Sequence, residues 1–217
     1  MTRGILYFTD NEIPEKLDIA VKDLIKMIKL PLVSSTRKPI TDMGLNVVTD
    51  EPRGYRTMFK QILNGLEALK TDVVFMAEHD VMYPKEHFDF IPPDKSVYYD
   101  HNWWKVRKDG LAIHWDADQV SGMCAYRNIL IDYYTHKIKD FDNERFNRKF
   151  EPFSRLGSKS WKASVPHIDV RHDKNLTKSK WSIDDFRDKS TAKNLETSTI
   201  ESIQGWDVEE IRKVLNG

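Results

Sequence analysis

The sequence predicts a single α/β domain of alternating strands and helices. Two observations carry this. Short runs rich in Val, Ile and Phe recur between longer segments whose apolar residues return at helical spacing. The first strand, helix and strand also follow one another in the order of a right-handed parallel crossover. With 217 residues, the chain is long enough for one domain with a full core.

Gly4 to Thr9 reads as a compact apolar strand ending at Thr9-Asp10-Asn11. A helix follows, with Pro14 in its first turn and Asp10 or Asn11 as cap. Ile13, Leu17, Val21, Leu24, Ile25 and Ile28 give it one apolar stripe. Leu30 to Val33 is a second strand, running into Ser34-Ser35-Thr36-Arg37-Lys38. Leu45 to Thr49 is a short strand broken by Pro52-Arg53-Gly54. Tyr55 to Leu69 is a second amphipathic helix, with Met58, Phe59, Ile62, Leu63, Leu66 and Leu69 on one side.

That helix delivers the chain to Val73-Val74-Phe75-Met76-Ala77-Glu78-His79-Asp80. The run reads as a buried strand. Carboxylates at i and i+2 of a strand point the same way, so Glu78 and Asp80 can face one cation. Hard oxygen ligands suit Mg²⁺ or Mn²⁺. His79 is expected on the opposite face, in a structural role. Ligand-binding loops of parallel sheets lie beyond the carboxyl ends of the strands. Thr9, Asp10 and Ser34 to Lys38 belong to the same edge as the acidic triplet and could form a nucleotide pocket; surface loops would look no different.

Farther along, Ser96 to Asp100 is a strand, followed by a segment dense in rings that includes Trp103, Trp104 and Trp115. Such rings suit stacking on sugars or bases, or belong to the core. Val120 to Tyr126 reads as a strand and Arg127 to about Lys137 as a helix. Residues 137 to 163 read as charged loop with turns around Glu151-Pro152. Val165 to His172 alternates as a strand, and 173 to 205 reads as a polar wrapping segment. A final helix begins at Asp207 as N-cap, with Glu210 completing a capping box.

The chain carries 34 basic and 34 acidic residues. This neutral balance gives no global argument for nucleic acid or membrane binding. A single cysteine, Cys124, excludes an intrachain disulfide and a cysteine-based zinc cluster. Its apolar neighbours mark it as buried and inert. No apolar run approaches the ~20 residues of a membrane span, and the N-terminus lacks a signal-peptide plan. A cytoplasmic protein is expected.

The block from Ile62 to Asp80 resembles the metal-dependent GT-A fold glycosyltransferases, in which an Asn-Gly helix precedes a strand ending in Asp-x-Asp. Here Asn64-Gly65 and Glu78-His79-Asp80 stand in those places, with Glu78 departing from the usual first aspartate. Ser121 to Arg127 is similar to the family's later strand bordering the acceptor. Val170 to Leu176 is similar to its late histidine-bearing segment. The resemblance implies a single GT-A (Rossmann-like) domain over 1–217, with a mixed, mostly parallel sheet flanked by helices. Residues 1 to about 100 would bind the nucleotide sugar, about 101–180 the acceptor, and 181–217 would form a wrapping segment and helix.

It further implies sugar transfer from a nucleotide sugar, a UDP-sugar by preference, to a glycan, glycoprotein or other hydroxyl acceptor. Asp80 would be the principal metal ligand, with Glu78 and His172 as partners; an imidazole ligand tilts the choice toward Mn²⁺. Thr9, Asp10, Ser35, Arg37 and Glu78 would meet the donor, with Arg56 and Lys60 on its phosphates and Trp103, Trp104 and Trp115 on the acceptor. If the anomeric centre inverts, a general base is needed; Glu151 is the first candidate and Asp118 the second. Neutral charge speaks against a nucleic-acid acceptor. Two other classes stay open. One is a glycan- or nucleic-acid-binding module without catalysis. The other is a metal-dependent nucleotidyltransferase.

Overall fold

β1 (Arg3–Thr9) is buried along almost its whole length, and its side chains alternate between two cores. Ile5 and Tyr7 join one apolar cluster, Leu6 and Phe8 the other, as period-two alternation requires of a strand covered on both faces. α1 (Glu15–Met27) brings Leu17, Val21 and Ile25 to the first cluster. β2 (Leu32–Thr36) and β3 (Leu45–Val48) extend the sheet. α2 (Tyr55–Ala68) covers the opposite face with Phe59, Ile62 and Leu66. β4 (Val73–Glu78) then pairs with β1 in parallel.

After the two-residue β5 (Val81–Met82) and a 3-10 turn over Lys85–Asp89 come β6 (Val97–Asp100), β7 (Trp103–Val106) and β8 (Leu111–His114). β9 (Met123–Tyr126) leads into α3 (Arg127–Asp142), followed by β10 (Ser158–Trp161), β11 (His167–Val170), β12 (Glu196–Thr199) and α4 (Val208–Leu215). The computed structural model describes residues 1–145, 151, 158–192 and 194–216.

Among the described residues the larger sheet has seven strands in the order β10-β6-β9-β4-β1-β2-β3. Its pairings are parallel except those of β9, which runs against β4 and β6. This is a mixed, mostly parallel sheet flanked by helices, in the manner of a Rossmann-like fold. A second sheet of five short strands, β12-β8-β7-β11-β5, abuts it. At Gly65, α2 lies almost on the sheet: a Cβ there would meet Leu6 Cδ1 at 2.3 Å and Ser35 Cβ at 3.2 Å. Glycine is the residue that permits this approach.

Several elements differ from expectation. Neither Asp10 nor Asn11 caps α1; Pro14 occupies the N-cap without a side-chain bond. Asp10 and Thr9 instead bond backward-facing amides of the loop, at Glu12 and Asn11. Val120–Gly122 is a 3-10 turn before β9 rather than part of the strand. α3 runs five residues beyond Lys137, and β10 lies within the expected loop; Pro152 falls outside the described residues. Asp207 does cap α4, but its carboxylate accepts from Glu209 N–H at 2.8 Å, not from the third residue of the helix. Cys124 is buried, and burial pushes its thiol well up. No described helix is long and apolar enough to cross a membrane.

Candidate functional site

The carboxyl ends of β1, β2 and β4 open into a cleft whose far wall is the second sheet. Thr9, Asp10 and Arg37 line it from the first two strands, and Tyr55, Met58 and Gln61 from the start of α2. Gln61 fastens this wall to the sheet by donating to Thr9 O at 2.7 Å. Arg37 reaches back, donating from Nε to Glu51 O at 3.0 Å. Asp10 forms an ion pair with Arg53 at 2.6 Å.

The acidic triplet sits at the centre. β4 ends at Glu78, so His79 and Asp80 lie in a turn where strand alternation no longer applies. His79 therefore faces the cleft, correcting the expectation of a bystander on the opposite face. One ligand atom each from His79, Asp80 and His172 lies within 4.8 Å of the others. His79 Nδ1 is 2.5 Å from Thr9 Oγ1. Asp80 Oδ2 accepts from Asn175 Nδ2 at 2.5 Å and lies 3.9 Å from Arg171. The turn is tied to the second sheet where Val170 N–H donates to Asp80 O at 2.8 Å.

Two imidazoles and a carboxylate form a donor set that fits Mn²⁺ better than Mg²⁺. Metal binding needs neutral imidazole. Burial pushes the His172 ring below its usual pKa, against the pull of Asp80. Glu78 is outside this trio but close. Burial first, and then the charges of Asp80 and Asp169, push its carboxyl well above the usual carboxylate range. Its N–H donates to Tyr83 Oη at 3.0 Å, and Tyr83 in turn donates to Ser121 O at 3.0 Å.

The second sheet adds groups that the sequence did not single out. Lys105 is buried in the cleft wall, where desolvation lowers its pKa while Asp169 pulls it up. Arg171 lies 3.6 Å from Asp169 Oδ1, which accepts no hydrogen bond among the described residues. Their signal was an alternation along Val165–His172 read as a strand without its register. No local pattern marks Lys105.

Other expected residues are elsewhere. Ser35 is fully buried on the α2 side of β2, not in the cleft. Arg56 is paired with Glu51 and Asp142, and Lys60 with Glu51, outside the cleft lining. Trp103 and Trp115 are core residues, at 0% and 6% exposure, and Trp104 packs against the main core. A buried ring cannot stack on an acceptor, which corrects the expectation for Trp103 and Trp115; Trp104 is partly buried. These rings wall in Lys105, whose Nζ lies 4.7 Å from the Trp115 centroid. Of the two base candidates, Glu151 lines the cleft. Asp118 is outside it, bonded to His101 at 3.0 Å.

No protein-family model and no curated protein matches the chain. Among solved structures it is similar to a glycosyltransferase involved in the glycosylation of the major capsid of PBCV-1. That match has a TM-score of 0.44 and 10% identity, over 75% of this chain and 82% of that one. It is also similar to the bifunctional IspDF from Campylobacter jejuni (TM-score 0.43, 12% identity, 75% of this chain and 49% of that one). A third is HddC from Yersinia pseudotuberculosis (TM-score 0.46, 11% identity, 78% and 93%). Likeness at this level says nothing of chemistry, which resides in the site.

Proposed function

We propose that this cleft binds a nucleotide sugar, a UDP-sugar by preference, with a divalent ion and transfers the sugar to a hydroxyl acceptor on a glycan or glycoprotein. The observation that carries the reading is the convergence of His79, Asp80 and His172 at the carboxyl edge of a central strand. These three side chains would hold Mn²⁺, or Mg²⁺ more weakly. When bound, the ion supplies Lewis-acid stabilisation of the negative charge that grows on the departing diphosphate.

The protein's own groups have separate tasks. Arg171 and Lys105 bring positive charge to the phosphate side of the cleft, in a partly desolvated wall where that charge acts strongly. Asp10 and Thr9 would accept from and donate to the base or ribose, and Arg37 would border them. Burial and the neighbouring Asp80 charge disfavour a further negative charge on Glu78. In an inverting transfer, the Glu151 carboxylate would take the proton of the acceptor hydroxyl as that oxygen bonds to the anomeric carbon. Glu151→Gln should then lower kcat strongly while leaving donor affinity intact; near-normal kcat removes Glu151 from the role.

The deciding experiment is a thermal shift with UDP and Mn²⁺, followed by UDP release from a set of UDP-sugars. A ligand that binds only the folded state raises the Tm. Absence of any shift with nucleoside diphosphates and Mn²⁺ would sink the reading. The cations Lys105 and Arg171 equally suit a nucleotidyltransferase, which would release pyrophosphate from a nucleoside triphosphate instead.

A further inference from the structure

Behind the cleft lies a second cluster of two histidines and one aspartate. His87 stands on the 3-10 turn over Lys85–Asp89, Asp100 ends β6, and His167 begins β11. All three are buried, at 0%, 1% and 0% exposure. His87 Nδ1 is 2.8 Å from Asp100 Oδ2, and His167 Nδ1 is 3.5 Å from the same oxygen. One ligand atom from each residue lies within 4.8 Å of the others.

The carboxylate is held from its other side: Asp100 Oδ1 accepts from Asn102 N–H at 2.9 Å and from Ala163 N–H at 3.1 Å. This leaves Oδ2 aimed at the two imidazoles. The surroundings are aromatic, with Phe75, Tyr83, Phe88 and Trp161 in ring contact with His87. His87 Nε2 and both ring nitrogens of His167 are buried without a hydrogen-bond partner among the described residues. An unsatisfied polar atom in an apolar pocket is costly; His167 Nδ1 is one such atom, and it faces the same carboxylate oxygen as His87 Nδ1.

We propose that His87, Asp100 and His167 hold a zinc ion. Two imidazoles and one carboxylate are a zinc donor set. Zinc bonds of about 2.0–2.2 Å set neighbouring tetrahedral donors about 3.3 Å apart. The separations of 2.8 and 3.5 Å bracket that spacing, so small side-chain adjustments close the site. A water in the fourth position completes the coordination. The ion joins the larger sheet through Asp100, the smaller sheet through His167 and the intervening turn through His87. Its three ligands are buried, and the site does not depend on what the cleft binds.

The test is metal analysis of the full chain, produced in zinc-supplemented cells and dialysed without chelator. About one zinc ion per chain is expected in the wild type. The same content is expected in Asp80→Ala, which removes the cleft ligand, and loss is expected in His167→Gln and His87→Gln. Zinc extraction should lower the Tm of the wild type, with recovery on adding Zn²⁺ but not Mg²⁺. Should a histidine variant fail to fold, the wild-type content and Tm, with Asp80→Ala, still decide. The proposal is overturned by a zinc-free wild type whose Tm ignores added Zn²⁺. It is equally overturned if zinc leaves with Asp80→Ala and stays in His167→Gln.

Discussion

Two clusters with the same side chains, two histidines and one aspartate, stand on either side of Tyr83. His79 and Asp80 line the cleft and His172 stands beside them at the edge of a neighbouring cavity, both histidines half-buried; His87, Asp100 and His167 are sealed. The partners differ accordingly. Asp80 is held by side chains, Asn175 and Arg171, on a loop and strand end of the second sheet. Asp100 is held by backbone amides, and its partner His87 is ringed by aromatics. An open cluster whose ligands sit on loops can exchange its ion with each bound substrate. A sealed one, held by backbone, can keep an ion for the life of the fold. Composition alone would not have separated the two roles; access does.

The sharpest way to break this contrast is Asp80→Ala. Under the proposed function it should cut Mn²⁺-dependent sugar transfer at least about 100-fold, while leaving the folded state intact by circular dichroism. Activity that persists in the presence of chelator would remove the metal role. His172→Ala should weaken Mn²⁺ binding by about 10–100-fold, measured by titration of activity or by Mn²⁺ paramagnetic resonance. Unchanged Mn²⁺ affinity would leave the site to Asp80 and His79.

Tyr83→Phe probes the wall between the clusters. It strips Glu78 N–H of its acceptor and Ser121 O of its donor, at a cost of about 1–3 kcal/mol read from denaturant midpoints. A neutral result would mean that a water replaces the hydroxyl.

The smallest expected effect is a gain. Burial and the nearby carboxylates raise the Glu78 carboxyl in the folded state, so it releases its proton at higher pH than the unfolded chain, where release centres near pH ~4.3. Wild-type stability therefore falls as pH rises from that value toward the raised folded pKa, and stays lower above it. Glu78→Gln escapes this loss. In metal-free buffer at neutral pH its Tm should be higher by about 2–4 °C, roughly 1 kcal/mol, with the gain shrinking toward pH ~4. A lower Tm at neutral pH would mean the carboxyl is ionised and paired.

The elements most legible from sequence were those with a strong local period. The two amphipathic helices, the buried strands they flank and the triplet at the end of β4 needed no long-range knowledge. His79 was misread because alternation was carried two residues past the end of the strand. Lys105, Asp169 and Arg171 were missed as a group because they meet the cleft through strands of four residues or fewer, or just past their ends, whose register depends on distant partners. Arg56 and Lys60 carried the right charge for phosphate, but Glu51 and Asp142 neutralise it, which spacing does not reveal. The tryptophans misled because ring density marks both a binding face and a core, and only burial tells them apart.

Gly65 has a consequence beyond packing. The helix that rests on the sheet at this point also presents Tyr55, Met58 and Gln61 to the cleft. Any larger residue at 65 acts as a shim: Leu6 must turn aside or the helix must lift. A lift would carry the near wall of the cleft with it and strain the Gln61 bond to the end of β1. A position with no side chain of its own thus sets the width of the cleft.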